Sequence, residues 1–325
     1  MSISAYFSSL SLLKLVKNLP GGVAQGLIWG LMALGVYITF RLLDAADLTV
    51  DGSFTLGGAV AVMLILGGCP AWLAVLVATA AGALAGLCTG LLHVKLGIPI
   101  ILAGILTQFS LYSINLRIMG MAANKALSVD KFGLLLSSRS IPSAIVTGLI
   151  ISLVLVVFFY WYFGTEQGCA IRATGSNSAM SNALGIDTGA MKILGLSISN
   201  AIVSLSGSLM AQYQGFADIN MGRGAIVIGL AAVIIGEVLC KATLDKTRFG
   251  KRFSFLSVML AVTAGGVVYY IVVVTVLWLR LNSNDLKLIT ALIVALFLAV
   301  PYLKEQRVSS FGKFKKAAKE GQDHA

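Results

Sequence analysis

The chain has little charge. Of its 325 residues only 11% are Asp, Glu, Lys or Arg, 58% are apolar, and the mean hydropathy is +0.93. One soluble core of this length could not hide so much apolar surface, which excludes a soluble globular domain. Prolines number five against thirty-five glycines, a balance that suits closely packed helices and not the alternating segments of a β-barrel. There are two histidines, and Cys69, Cys88, Cys169 and Cys240 are widely spaced without a CxxC pair. No familiar metal-ligand spacing can be assembled from them, and the cysteines read as small residues in or beside apolar runs. Also missing are a Gly-rich phosphate loop ending in Lys and Ser/Thr, an HExxH pair and a GxSxG elbow. No catalytic residue, metal or cofactor is therefore assigned. Ionisable residues are nearly absent from the apolar runs; Glu237, close to Lys241, is the main exception. A proton- or sodium-coupled transporter needs acids or histidines at mid-membrane, so their scarcity points to energy supplied from outside this chain.

What is present is a series of long apolar runs, at about 23–40, 54–67, 71–93, 98–114, 142–163, 190–213, 224–239, 253–279 and 286–303. The expected fold is an all-α polytopic membrane protein with about 8–10 transmembrane helices. Residues 1–19 alternate apolar and polar positions and predict an amphipathic or tilted helix, ended by Pro20-Gly21-Gly22. Residues 20–163 then form a first transmembrane half, 164–189 a polar segment, 190–303 a second half, and 304–325 a basic tail. The net charge of +11 does not call for nucleic acid. With the tail in the cytoplasm, Arg41, Lys95, Arg172, Lys192, the 240–252 cluster and the tail itself collect on one side, as the positive-inside effect requires. That orientation puts the 115–141 and 214–223 loops outside. Ala78, Gly82, Gly86 and Gly90 share one helix face and read as a strip for close packing. Phe158 to Phe163 form an aromatic belt at a membrane interface.

One polar motif occurs twice. Ala46-Asp47-Leu48-Thr49-Val50-Asp51-Gly52-Ser53-Phe54 is echoed 171 positions on by Ala217-Asp218-Ile219-Asn220-Met221-Gly222-Arg223-Gly224-Ala225. Each interrupts apolar sequence, and polar backbone at membrane depth is tolerated only against protein or a water-filled cavity. Two such interruptions in corresponding positions indicate two inverted repeats with discontinuous segments around a transport pathway. Asp51, Ser53, Phe54, Asn220 and Met221 are the candidate pathway residues. Ser53 is expected to cap the following helix, with Asp51 at that helix's positive end.

In the polar segment, Arg172-Ala173-Thr174-Gly175-Ser176-Asn177 precedes Ser178 to Leu184 and then Gly185-Ile186. This predicts a short helix capped by Ser176 or Asn177 and stopped by Gly185. The pattern G-x-A-x-R-A-x-G-x-N from Gly168, followed by A-L-G-I, resembles the coupling segment of bacterial ABC importer permeases. The resemblance is to the branched-chain amino acid and ribose permease-like family, in the sub-branch described as tryptophan/tyrosine-type permeases. It extends to Leu48–Phe54 with Gly57-Gly58-Ala59, to Ala231–Glu237 and to Asp285–Thr290, in the family's order over about residues 20–303. It implies a permease subunit of an ATP-driven importer in the bacterial inner membrane, surrounded by lipid and moving a small solute, with an aromatic amino acid as the candidate. It further implies a second permease copy, a cytosolic ATPase dimer that alone binds ATP and magnesium, and an extracytoplasmic solute-binding protein. Arg172, Ala173, Gly175, Ser176, Asn177, Leu184, Gly185 and Ile186 would then contact the ATPase. The rival reading is a stand-alone secondary transporter or channel.

Overall fold

A computed structural model describes residues 12–129, 131–240 and 254–278, with isolated positions 288, 292 and 295. The expected span at 286–303, the 240–252 loop and the basic tail thus lie essentially outside the described residues. The chain forms two compact units that divide at Thr275/Val276, and the helix bundle belongs to the first. The helices are α1 (Leu12–Tyr37), α2 (Thr49–Leu66), α3 (Ala71–Val94), α4 (Ile100–Ile118), α5 (Ile141–Tyr162), α6 (Glu166–Ser176), α7 (Ser178–Ala183), α8 (Thr188–Gln214), α9 (Ala225–Leu239) and α10 (Ser254–Trp278). Among the described residues, seven helices are long and apolar enough to cross a membrane, and α9 is a shorter apolar helix. The protein is all-α and polytopic, as its composition requires.

The break expected at Pro20 is not there. Helix α1 runs unbroken through Pro20 and widens into a π turn over Ile38–Leu42. Gly22, Gly26 and Gly30 lie one turn apart and face α10, where a methyl group would press on Val274, Val267 and Thr263. Tertiary packing uses these glycines for contact, so the segment that looks like a stop is a helix interface. The strip of Ala78, Gly82, Gly86 and Gly90 does pack as its spacing predicts. A methyl at Gly82 or Gly86 would overlap the α8 backbone at Asn200 or Leu196.

Helix α8 is the centre of the bundle, and its serines tie it to its neighbours. Ser199 Oγ donates to Gly35 O and Ser206 Oγ to Ile28 O, both at 2.7 Å, and Ser204 Oγ donates to Ala78 O at 2.7 Å. Such interhelical bonds contribute about 0.6 kcal/mol each in membrane bundles. At one end of α8, β2 (Phe216–Asp218) pairs antiparallel with β1 (Asn124–Ala126), Lys125 opposite Ala217. The loops assigned to the same side of the membrane are therefore hydrogen-bonded to each other. At the other end, Gly175 packs on the Leu42 carbonyl and Gly195 on the Leu43 side chain. These two ends are the ladder end and the α6–α7 end of the bundle.

Candidate functional site

The two polar interruptions meet inside the bundle. Asp51 stands in the first turn of α2 and reaches across to the start of α9. Its Oδ2 accepts from Gly224 N and its Oδ1 from Ile226 N, both at 2.9 Å. The carboxylate thus holds two of the backbone donors that a helix start leaves unpaired, at the positive end of the α9 dipole. Beside it, Gly222 N donates to Thr55 Oγ1 at 3.1 Å. A methyl at Gly222 would overlap the Asp51 carbonyl, and one at Gly58 would press on Met221 Sδ. From this joint α2 runs to the ladder end, where Val62 and Ile65 pack with Leu127 and Ala217. Helix α9 runs the opposite way, and Glu237 near its far end pairs with Arg41.

Local capping falls to a different residue than expected. Asp47 Oδ1 accepts from Thr49 N at 2.9 Å, so Asp47 closes the start of α2. Ser53 is already inside the helix and does not cap it; its hydroxyl donates to Asn200 Oδ1 at 2.7 Å. Asn200 Nδ2 in turn donates to Asp47 Oδ2 at 2.7 Å. Asp47, Ser53 and Asn200 are all fully buried or nearly so. The rule that a buried charge must be paired is met here by hydrogen bonds alone, since no cation joins this network among the described residues.

Next to the joint lies a cavity of about 350 Å³, lined by Asp51, Thr55, Gln108, Tyr112, Asn115 and Arg223 among others. That volume is at the small end of the range for ligand pockets. Asn115 is 1% exposed, and its Nδ2 donates to Gly52 O at 3.3 Å while its Oδ1 has no partner among the described residues. A buried acceptor left this way costs about 1–3 kcal/mol. Of the pathway candidates, Asp51 lines this cavity; Ser53 and Phe54 lie in the core, Phe54 stacked on Trp29 at 4.8 Å. Asn220 is exposed, with its N–H on Asp218 Oδ1, and Met221 is half-buried against Gly58.

The polar segment at the opposite end folds as its residues predict. Asn177 is extended and its Oδ1 accepts from Met180 N at 2.9 Å, capping α7. Gly185 at φ +85° closes the helix; its N–H donates to Asn182 O and that of Ile186 to Ser181 O, both 3.0 Å. This double closure is the Schellman arrangement, for which glycine is the favoured residue. Ser176, Asn177, Leu184 and Gly185 are exposed. Ala173, Gly175 and Ile186 are half-buried, with Gly175 pressed on Leu42. Arg172 lies over the Phe255 ring at 5.3 Å and donates to Cys169 Sγ at 3.2 Å.

Residues 18–301 match the family described as "Branched-chain amino acid transport system / permease component". The chain belongs to this family. It is 40% identical over 277 residues to a tyrosine transport system permease protein of Clostridioides difficile, covering 85% of this chain and 89% of that one. It is 33% identical over 282 residues to an uncharacterised protein of Rickettsia prowazekii, covering 87% and 96%. The ribose import permease protein of Escherichia coli is 27% identical over 225 residues, 68% of this chain and 69% of its own. No solved structure matches. The permease is thus a multi-pass cell membrane protein and a transport component, in a family of permeases and not of enzymes.

Several site residues of the permease are not singled out by the sequence alone. Asn115 falls in the loop expected at 115–141, yet it belongs to the last turns of α4. Gln108, Tyr112 and Asn115 stand at i, i+4 and i+7, one helix face carrying polar groups in an apolar span; that spacing is the available signal. Asn200 offers a similar one, a lone amide in the middle of a run.

Proposed function

We propose that this permease is the membrane subunit of an ATP-driven importer of a small solute, with tyrosine or a related aromatic amino acid as first candidate. The candidate follows the name of the Clostridioides difficile relative. The observation that carries the ATP-driven reading is helix α7. It is closed at both ends by its own residues, and every position from 176 to 185 except Ser181 is exposed, Met180 to 56% and Leu184 to 70%. A short, pre-formed helix with apolar side chains facing outward is a ready handle for a partner, and α6 anchors it to the bundle through Gly175. A cytosolic ATPase dimer grips this segment and alone holds ATP and magnesium. A second permease copy completes the membrane part, and an extracytoplasmic binding protein delivers solute at the ladder end. The two halves act as inverted repeats whose half-length polar starts meet beside the solute path, with Asp51 as the joint between them.

The deciding experiment is uptake of L-tyrosine into vesicles carrying the permease with its ATPase. Uptake should require ATP and ignore an imposed proton gradient. Gly185→Trp should abolish uptake, whereas Gly185→Ala should retain most of it. Both variants carry the same backbone strain, about 1–2 kcal/mol for an L-residue in the left-handed region, and only Trp adds bulk where the partner docks. Gradient-driven uptake without ATP would replace this reading with a secondary transporter, and equal activity of both variants would make α7 a mere connector.

A further inference from the structure

We infer that the cavity beside the Asp51 joint binds the zwitterionic head of an α-amino acid, with Asn115 Oδ1 accepting a hydrogen bond from its ammonium group. The assignment rests on the importer reading and names the chemistry that its pathway selects. The orientation of the Asn115 amide is fixed by its neighbour. Gly52 O can only accept, so the nitrogen must face it, and the end left over is the oxygen. Asn115 is 1% exposed and lines the cavity, and its Oδ1 has no partner among the described residues. It asks for a donor and would repel a carboxylate. Asp51 lines the same space, and each of its oxygens holds one backbone N–H and keeps lone-pair capacity for a cation. Arg223, exposed in the same lining, supplies the only positive side chain there among the described residues and a fork suited to a carboxylate. Phe109 and Tyr112 offer ring faces to an apolar side chain. Donor site, anion site and ring wall therefore occupy one small cavity, which is the recognition pattern of an amino acid and not of a sugar.

The test uses Gln108→Cys, a lining position with no assigned contact to the solute, in a cysteine-free permease assembled with its ATPase, labelled with a charged thiosulfonate reagent. L-tyrosine at millimolar concentration should slow labelling at least about fivefold. The analogue 3-(4-hydroxyphenyl)propanoate, which lacks only the amino group, should slow it less than twofold. Asn115→Leu should remove the protection by L-tyrosine. Should that variant fail to assemble, Arg223→Gln decides, because tyramine, which lacks the carboxylate, should then protect as well as L-tyrosine, whereas with Arg223 intact it protects less. Equal protection by L-tyrosine and its des-amino analogue, with Asn115 and Arg223 intact, would overturn the assignment. If L-tyrosine is imported with ATP yet no amino acid protects the introduced thiol from label, the cavity assignment falls and the importer reading stands. If L-tyrosine is not imported but another amino acid protects and its des-amino form does not, the cavity assignment stands and the solute changes.

Discussion

The joint at Asp51 and the segment around α7 are both polar islands in an apolar chain, and they are built in opposite ways. At α7 every bond that defines the shape spans three to five residues, from Asn177 to Met180 and from Ile186 to Ser181. At the joint the defining bonds span 173 and 175 residues. One island carries its shape with it and shows its surface outward; the other exists only when two distant stretches have come together. An exposed surface can be local, whereas a polar point at membrane depth must be closed from both sides.

Substitutions should separate the two kinds of construction. The largest effect is expected at Asp47, whose carboxylate holds Thr49 N and Asn200 Nδ2 in full burial. Asp47→Ala loses both charge-assisted bonds and should cost about 3–5 kcal/mol, read as a large fall in the thermal unfolding midpoint of purified permease. Next comes Asp51→Ala, which frees the two N–H groups of α9 and should cost about 2–3 kcal/mol. Asp51→Asn retains one acceptor oxygen and should lose roughly half of that in the same assay. A smaller drop for Ala than for Asn would mean that the carboxylate does not hold the joint. The smallest effect belongs to Asn177→Ala, about 0.5–2 kcal/mol for a lost cap. It should loosen amide exchange over α7 alone and leave the global midpoint nearly unmoved. A global change from Asn177→Ala would erase the contrast between the two regions.

The same division decides what can be read from the chain alone. The spans between residues 54 and 279, the glycine strip of α3 and the capped helix α7 follow from residues within a few turns of one another, and their expected bounds lie close to the observed ones. The repeat around Asp51 and Asn220 is visible as a pattern, and the two stretches do meet. Which atoms join them is not visible. Asp51 is expected at its own helix start, but Asp47 is the nearer residue with the shorter reach to Thr49 N, and Asp51 is thereby free to turn to α9. Pro20 misleads for the same reason. Its helix-breaking tendency is a local preference, and the packing of Gly22, Gly26 and Gly30 on α10 outweighs it.

The joint is also lopsided in what mutation can reach. On the α2 side it hangs on one side chain, so a single codon at position 51 can remove it. On the α9 side the donors are main-chain N–H groups of Gly224 and Ile226, which nearly every amino acid possesses. Only proline lacks the donor, and at position 226, the second residue of α9, proline is compatible with the helix itself. Arg223 can therefore change without unfastening the joint, whereas Gly222, packed on the Asp51 carbonyl, and Gly224, at φ +82°, are held to glycine.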